Sequence, residues 1–141
     1  MPLLISTKLF PIDLKYAEVR FKNGMDGVIV LDDKEAEKKY EGRIKELHTQ
    51  WVMPGWKEHI EVIRDSMIWD EFKGERMMDY RLYRCKILEN YLKAWDIMEA
   101  DGTTAVPCNK DNIGRLDHNI AHALQDLFVD RTVPTEDELK N

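Results

Sequence analysis

An N-terminal β-hairpin packed on a four- or five-helix domain, α+β but mainly α, is the architecture that this 141-residue chain predicts. Two patterns carry that reading. Between residues 12 and 31, apolar and charged side chains alternate around a glycine-containing turn, as half-buried strands require. From residue 33 to 129, apolar residues recur every three or four positions, the period of an amphipathic helix. The length suits one domain with a real core. That domain is assigned to residues 1–133, with 12–31 as the hairpin region and 33–129 as the helical region. Residues 134–141 are polar and read as a flexible tail.

Each element follows from local signals. Ala17, Val19 and Phe21 alternate with charged residues, and Gly27 to Leu31 is a short apolar run. Between them, Asn23-Gly24-Met25-Asp26-Gly27 supplies turn chemistry, because Gly24 and Gly27 tolerate positive φ. Ile12, Leu14 and Tyr16 extend the first strand, with a phase slip near Ala17 that suggests a bulge. A lone hairpin is marginal, so it must pack on helices or pair with another chain. A first helix is expected from a cap at Asp32 or Asp33, with Ala36, Tyr40, Ile44, Leu47 and Trp51 on one side and Pro54-Gly55 as its stop. Gly42 is its weak point. A second helix is expected from Trp56 to Lys73-Gly74, striped by Trp56, Ile60, Ile63 and Met67. A third is expected from Glu75 to Trp95, lined by Met78, Leu82, Cys85, Leu88, Leu92 and Trp95. Asp101-Gly102 is a turn, Asn109 caps a short helix that Gly114 closes, and Asp117 caps a last helix. Leu116 and Ala121 flank that last cap as a hydrophobic staple, and Ile120, Leu124, Leu127 and Phe128 form the buried face.

Composition narrows the function classes. Charged residues make up 34% of the chain, with 21 basic against 27 acidic, so the net charge is −6. An acidic balance argues against nucleic acid as a partner, since phosphate neutralisation needs a basic face. Two cysteines are too few for a disulfide framework. The apolar run at Leu3 to Ile5 is too short for a leader, no stretch has the length of a membrane span, and a reducing cytoplasm is the expected compartment.

Candidate chemistry is sparse. His118 and His122 stand four apart on one helix face, the spacing for two imidazoles on one metal, and Cys108 and Cys85 lie upstream. The residues between them, Asn119-Ile120-Ala121, lack the general-base Glu of a zinc-protease helix. Two surface histidines and two ordinary cysteines are the plainer reading, so no metal and no other cofactor is expected. Ser6 and Ser66 are the only serines, and neither has the flanking glycines of a nucleophile elbow. The glycines build no phosphate-cradling loop. Aromatics give a different hint. Trp51, Trp56 and Trp69 cluster with Met53, Met67, Met77 and Met78, residue types that serve cores and interfaces alike. Trp69 lies off the main stripe of its expected helix and is the better interface candidate.

The order of parts carries one further reading. A helix ends in Lys93-Ala94-Trp95-Asp96. An Asp101-Gly102 turn and Val106-Pro107-Cys108-Asn109 follow, then Leu116-Asp117-His118-Asn119-Ile120-Ala121-His122-Ala123-Leu124. Upstream stand Glu46-Leu47-His48-Thr49-Gln50-Trp51, Pro54 and Trp56. Over roughly residues 17 to 130 this resembles the small tail assembly chaperones of long-tailed bacteriophages, although Asp117-His118 stands where that family often has prolines. The resemblance implies a non-enzymatic protein of the host cell cytoplasm that coats the tape-measure protein, helps recruit tail-tube protein and is absent from the mature virion. Many such proteins also exist in a longer, frameshifted form. A tape-measure protein is a long, apolar-striped helical rod, so its chaperone needs a groove that accepts an amphipathic helix. Trp95, Leu116, Ile120 and Leu124, with the Val106-Pro107 connector, are the expected groove, and Trp69 is a further contact candidate. Self-association through a free hairpin edge is a further expectation. Two alternatives stand beside this reading: a structural head–tail connector or tail-completion protein, and a small metal-dependent enzyme.

Overall fold

An eleven-residue strand, β1 (Phe10–Arg20), is the spine of the molecule. The structure is a computed structural model that describes residues 3–132 and 134. The first half of β1 pairs antiparallel with β3 (Lys45–Trp51), from Phe10↔Trp51 to Tyr16↔Lys45. Its second half pairs antiparallel with β2 (Asp26–Val30), from Tyr16↔Val30 to Arg20↔Asp26. A short strand, β6 (Leu92–Trp95), adds to the far edge of β3, giving the order β2-β1-β3-β6. One face of this sheet is covered by α3 (Tyr80–Tyr91) and α5 (His118–Arg131). A separate hairpin, β4 (Met67–Asp70) with β5 (Glu75–Met78), follows α2 (Trp56–Asp65). Two short helices, α1 (Lys34–Lys39) and α4 (Lys110–Ile113), complete the described elements.

The core forms where these layers meet. Ile12, Leu14, Leu47 and Trp51 from the sheet pack with Ile87, Leu88 and Tyr91 of α3 and with Ile120, Leu124 and Phe128 of α5. Phe128 is stacked on three rings at centroid distances of 6.1 Å to Phe10, 4.9 Å to Trp51 and 5.3 Å to Tyr91. The polar atoms of this core are joined in a short relay. Trp51 Nε1 donates to Thr49 Oγ1 at 2.7 Å, and that hydroxyl donates to the Ile12 carbonyl at 2.5 Å. The hydroxyl of Tyr91 and Oε1 of Gln125 are buried without a hydrogen-bond partner among the described residues. Burial pushes the Tyr91 phenol up to about 12, with the charge of Glu58 adding to the shift.

The fold is therefore not mainly helical: 35% of it is helix and 28% strand, in a mixed α/β arrangement. Three long helices expected from the sequence are each partly strand. The first stops at Lys39. Gly42 takes a φ of +82°, which a helix cannot continue through, and Lys45 to Trp51 then run as β3. Leu47, Thr49 and Trp51 are buried while Glu46 and His48 are exposed, a period of two. The positions 40, 44, 47 and 51 satisfied a helical count as well, and sheet burial decided between the two periods. The second expected helix ends at Asp65. The third begins only at Tyr80, where the Asp79 carboxylate accepts from the amides of Arg81 and Leu82. Asp70 Oδ1 accepts from the amides of Phe72 and Lys73, so a tight turn stands where helix was expected. Past Tyr91 the chain extends directly into β6.

Other expectations hold. The β1–β2 hairpin forms, with Gly24 at φ +82°. Gly27 instead lies in β2, where a side chain would overlap the Phe21 ring. The caps at Asp33, Asn109 and Asp117 each accept from an amide of the following turn. Pairing runs through Ala17 without a register shift, so the change in burial phase there is not a bulge. Ala17 is buried because the far face of the sheet is covered at that point. Lys15, on the same face, holds Glu37 of α1 at 2.6 Å, and Arg43 donates to the Glu18 carbonyl at 2.6 Å. Of the tail expected over 134–141, all but Pro134 lies outside the described residues.

Two outcomes follow. Tyr91→Phe removes an unpartnered buried hydroxyl and keeps the stack, so urea unfolding should show stability unchanged or raised by up to about 1 kcal/mol. Tyr91→Ala should cost about 3–5 kcal/mol. On the open face, His48 lies 3.0 Å from Asp13 Oδ1, and that hydrogen bond raises its pKa above the ordinary value. A raised folded-state pKa contributes stability fully present below about pH 6.5 and lost as pH rises through the folded value. The melting-temperature advantage of wild type over His48→Gln should therefore be largest below about pH 6.5 and shrink as pH rises through the folded value, which a thermal-melt series over pH checks.

Candidate functional site

Past Trp95 the chain leaves the sheet and builds one wall of an open cleft. Asp96 Oδ1 accepts from the His48 amide at 3.0 Å and anchors the exit point on β3. The segment then doubles back. Val106 N donates to the Ile97 carbonyl at 2.9 Å, Glu99 N donates to the Thr104 carbonyl at 2.8 Å, and Met98 bridges Ala105. Asp101 turns the segment. Its Oδ1 accepts from the amides of Thr103 and Thr104, both at 2.9 Å, and its Oδ2 accepts from the Thr104 hydroxyl at 2.6 Å. The Thr104 hydroxyl and amide bonds are the main reason that this carboxyl sits at about 2.

The opposite wall comes from α4 and the start of α5. Asn112 Nδ2 donates to the Pro107 carbonyl at 2.9 Å, tying α4 to the Val-Pro connector. Asn119 Nδ2 donates to the Val28 carbonyl at 3.2 Å, tying α5 to β2. Trp95 closes the arrangement: its Nε1 donates to the Val106 carbonyl at 2.7 Å, so the indole stands upright between strand and connector. The resulting cavity has a volume of about 420 Å³. Tyr16, Val28 and Leu47 from the sheet and Ile120 from α5 contribute apolar lining, beside Trp95, Ile97, Met98, Val106 and Leu116. Glu18, Glu99, Asp117 and Arg115 also line it, three acidic groups against one basic.

Four of the residues singled out in the sequence, Trp95, Val106, Leu116 and Ile120, thus share one cleft. Two do not. Leu124 is fully buried in the core and does not line this cleft, because the sheet covers the position one turn beyond Ile120. Trp69 lies on β4, outside the cleft lining. Ile97, Met98, Tyr16, Val28 and Leu47 were not singled out. A signal for the first two exists: Ile97-Met98 and Ala105-Val106 flank the Asp101-Gly102 turn as the arms of a hairpin do. Leu47 was hidden by its assignment to a helix.

The histidines and cysteines are dispersed. His122 has Arg84 Nη1 at 2.7 Å from Nε2, and a permanent cation in that position opposes a metal ion. Cys108 Sγ points at the Leu92 carbonyl at 3.9 Å, and burial pushes its thiol up. His118 and Cys85 are exposed elsewhere on the surface. Among the described residues no three His, Cys, Asp or Glu side chains form a group able to hold a metal ion, and no helix is long and apolar enough to cross a membrane. No family model, no curated protein and no solved structure matches the chain.

A cavity that mixes apolar and charged lining suits the side chains of an amphipathic partner segment inserted between the walls. The Asp101 turn holds one wall in place. Its carboxyl is depressed relative to the ordinary carboxylate, so its contribution is full above about pH 4 and disappears as pH falls through about 2. Asp101→Ala should therefore speed amide exchange at Thr104 and Val106 at neutral pH, and the difference from wild type should vanish near pH 2. Hydrogen exchange read by NMR checks both statements.

Proposed function

We propose that this protein is a tail assembly chaperone of a long-tailed bacteriophage. It holds an apolar-striped segment of the tape-measure protein in the cleft beside Trp95 and helps recruit tail-tube protein, in the host cytoplasm and outside the finished virion. The observation that carries the reading is the convergence of Trp95, Val106, Leu116 and Ile120 on one open cavity with both apolar and charged lining. These residues belong to the stretch whose order of parts resembles that family. The cleft's size supports a transient grip. Each leucine-sized side chain seated there gains about 1.5–3 kcal/mol, and the cost of association offsets much of the gain from two of them. A complex of that strength yields to tube subunits arriving at the same rod. The acidic excess around the cavity complements a partner helix flanked by lysine or arginine.

Met98 is the residue on which to test this, because it lines the cavity and is 47% exposed, so a polar replacement leaves the core alone. Met98→Glu should fold like wild type by circular dichroism and bind the tape-measure protein of the same phage at least about tenfold more weakly by calorimetry. Undiminished binding would place the partner elsewhere. Mass spectrometry of purified virions separates this reading from a structural connector, since a chaperone is absent from the particle and a connector is present.

A further inference from the structure

A further exposed apolar surface lies on α2 and the β4–β5 ribbon. The stripe of α2 points outward rather than into the core: Trp56 is 82% exposed and Ile60 44%, while Val62 is the one buried residue of that helix. The chain then runs into the β4–β5 hairpin, whose base is closed by Asp79 N donating to the Ser66 carbonyl at 2.8 Å. Ile68 and Met77 are cross-strand neighbours on one side of this ribbon, and Trp69, paired with Arg76, is on the other. Phe72 stands at the tip, fully in solvent. Neither outer edge of the ribbon pairs with another strand among the described residues.

We propose that this surface joins two copies of the chain, with β4 paired antiparallel to β4 of the second copy across a two-fold axis near Ile68 and Trp69. Three observations commit the site to a second copy. The first is the free edge. A two-stranded ribbon is marginal alone and gains stability as part of a larger sheet. Three of the four residues of β4, Met67, Ile68 and Trp69, carry neither charge nor proline, and Asp70 stands at its turn end, whereas β5 carries both Glu75 and Arg76. An identical edge is self-complementary across a two-fold axis. The second is area. At about 200 Å² for an aromatic side chain, the exposed parts of Trp56, Trp69, Phe72 and Tyr80 amount to roughly 600 Å². That is about three-quarters of the ~800 Å² per partner of a stable interface, and the backbone edge of β4 adds to it. The third is charge. Residues 56–78 carry six acidic and four basic side chains, a balance that repels phosphate-rich partners such as nucleic acid or anionic lipid and leaves a protein surface as the occupant.

The proposal stands independently of the cleft, and sedimentation equilibrium of the full chain at micromolar concentrations tests it. Wild type should sediment as a dimer. Trp69→Lys and Phe72→Lys, both at exposed positions, should keep the circular dichroism spectrum and raise the dimer dissociation constant about 30- to 100-fold. Met98→Glu, in the cleft, should dimerise like wild type, so loss of the dimer and loss of partner binding are separable. A wild-type chain that stays monomeric at about 100 μM, well above the roughly micromolar weak end of interfaces of this size, overturns the proposal. So does a dimer that neither lysine variant weakens.

Discussion

Phe128 is the point on which the layers depend. Its ring touches Phe10 at the start of β1, Trp51 at the end of β3 and Tyr91 at the end of α3. One side chain of α5 thus fixes the sheet and the neighbouring helix at once. Interiors are packed as tightly as organic crystals, so the four rings have little freedom to slide against one another. The Trp51–Thr49–Ile12 relay works at the same place by hydrogen bonding, because it locks the Trp51 indole to both strands that the stack compresses. With the far end of α5 held there, its first turn is carried to β2, where Asn119 reaches the Val28 carbonyl. The cleft is what remains open between those two fixed points.

Much of this was legible in the chain. Signals confined to a few residues survived: the Asn23-Gly24 turn, the caps at Asp33, Asn109 and Asp117, and the buried face of α5. Signals that depend on counting over twenty residues did not. Residues 45–51 carry apolar side chains at spacings that fit both a helix and a strand, and only the presence of β1 alongside decides between them. The same holds for Met67–Asp70, Glu75–Met78 and Leu92–Trp95, each a four-residue strand appended to a helix. Four residues are too few to show a period, and their strand character comes from partners distant in sequence.

The candidate site divides in the same way. Trp95, Val106, Leu116 and Ile120 lie near turns and caps whose chemistry is local, and the structure places all four along one cleft. Leu124, one turn further along, is buried in the core, since the stripe of an amphipathic helix does not announce where the covering layer stops. The sheet's share of the lining, Tyr16, Val28 and Leu47, was out of reach until the strand order was known. The outward stripe on α2 makes the complementary point. A pattern of Trp56, Ile60, Ile63 and Met67 specifies an apolar face but not what covers it.

The absence of any loop around α3 has a mechanical meaning. The chain passes from β5 through the single residue Asp79 into α3, and from Tyr91 straight into β6. Rotation at a junction needs residues whose dihedral angles can change, and here those are Asp79 at one end of the helix and Leu92 at the other. α3 is a spacer of about 18 Å between the ribbon and the Trp95 wall. The distance between ribbon and wall is therefore set by the length of one helix, and their relative orientation by the backbone angles at two residues.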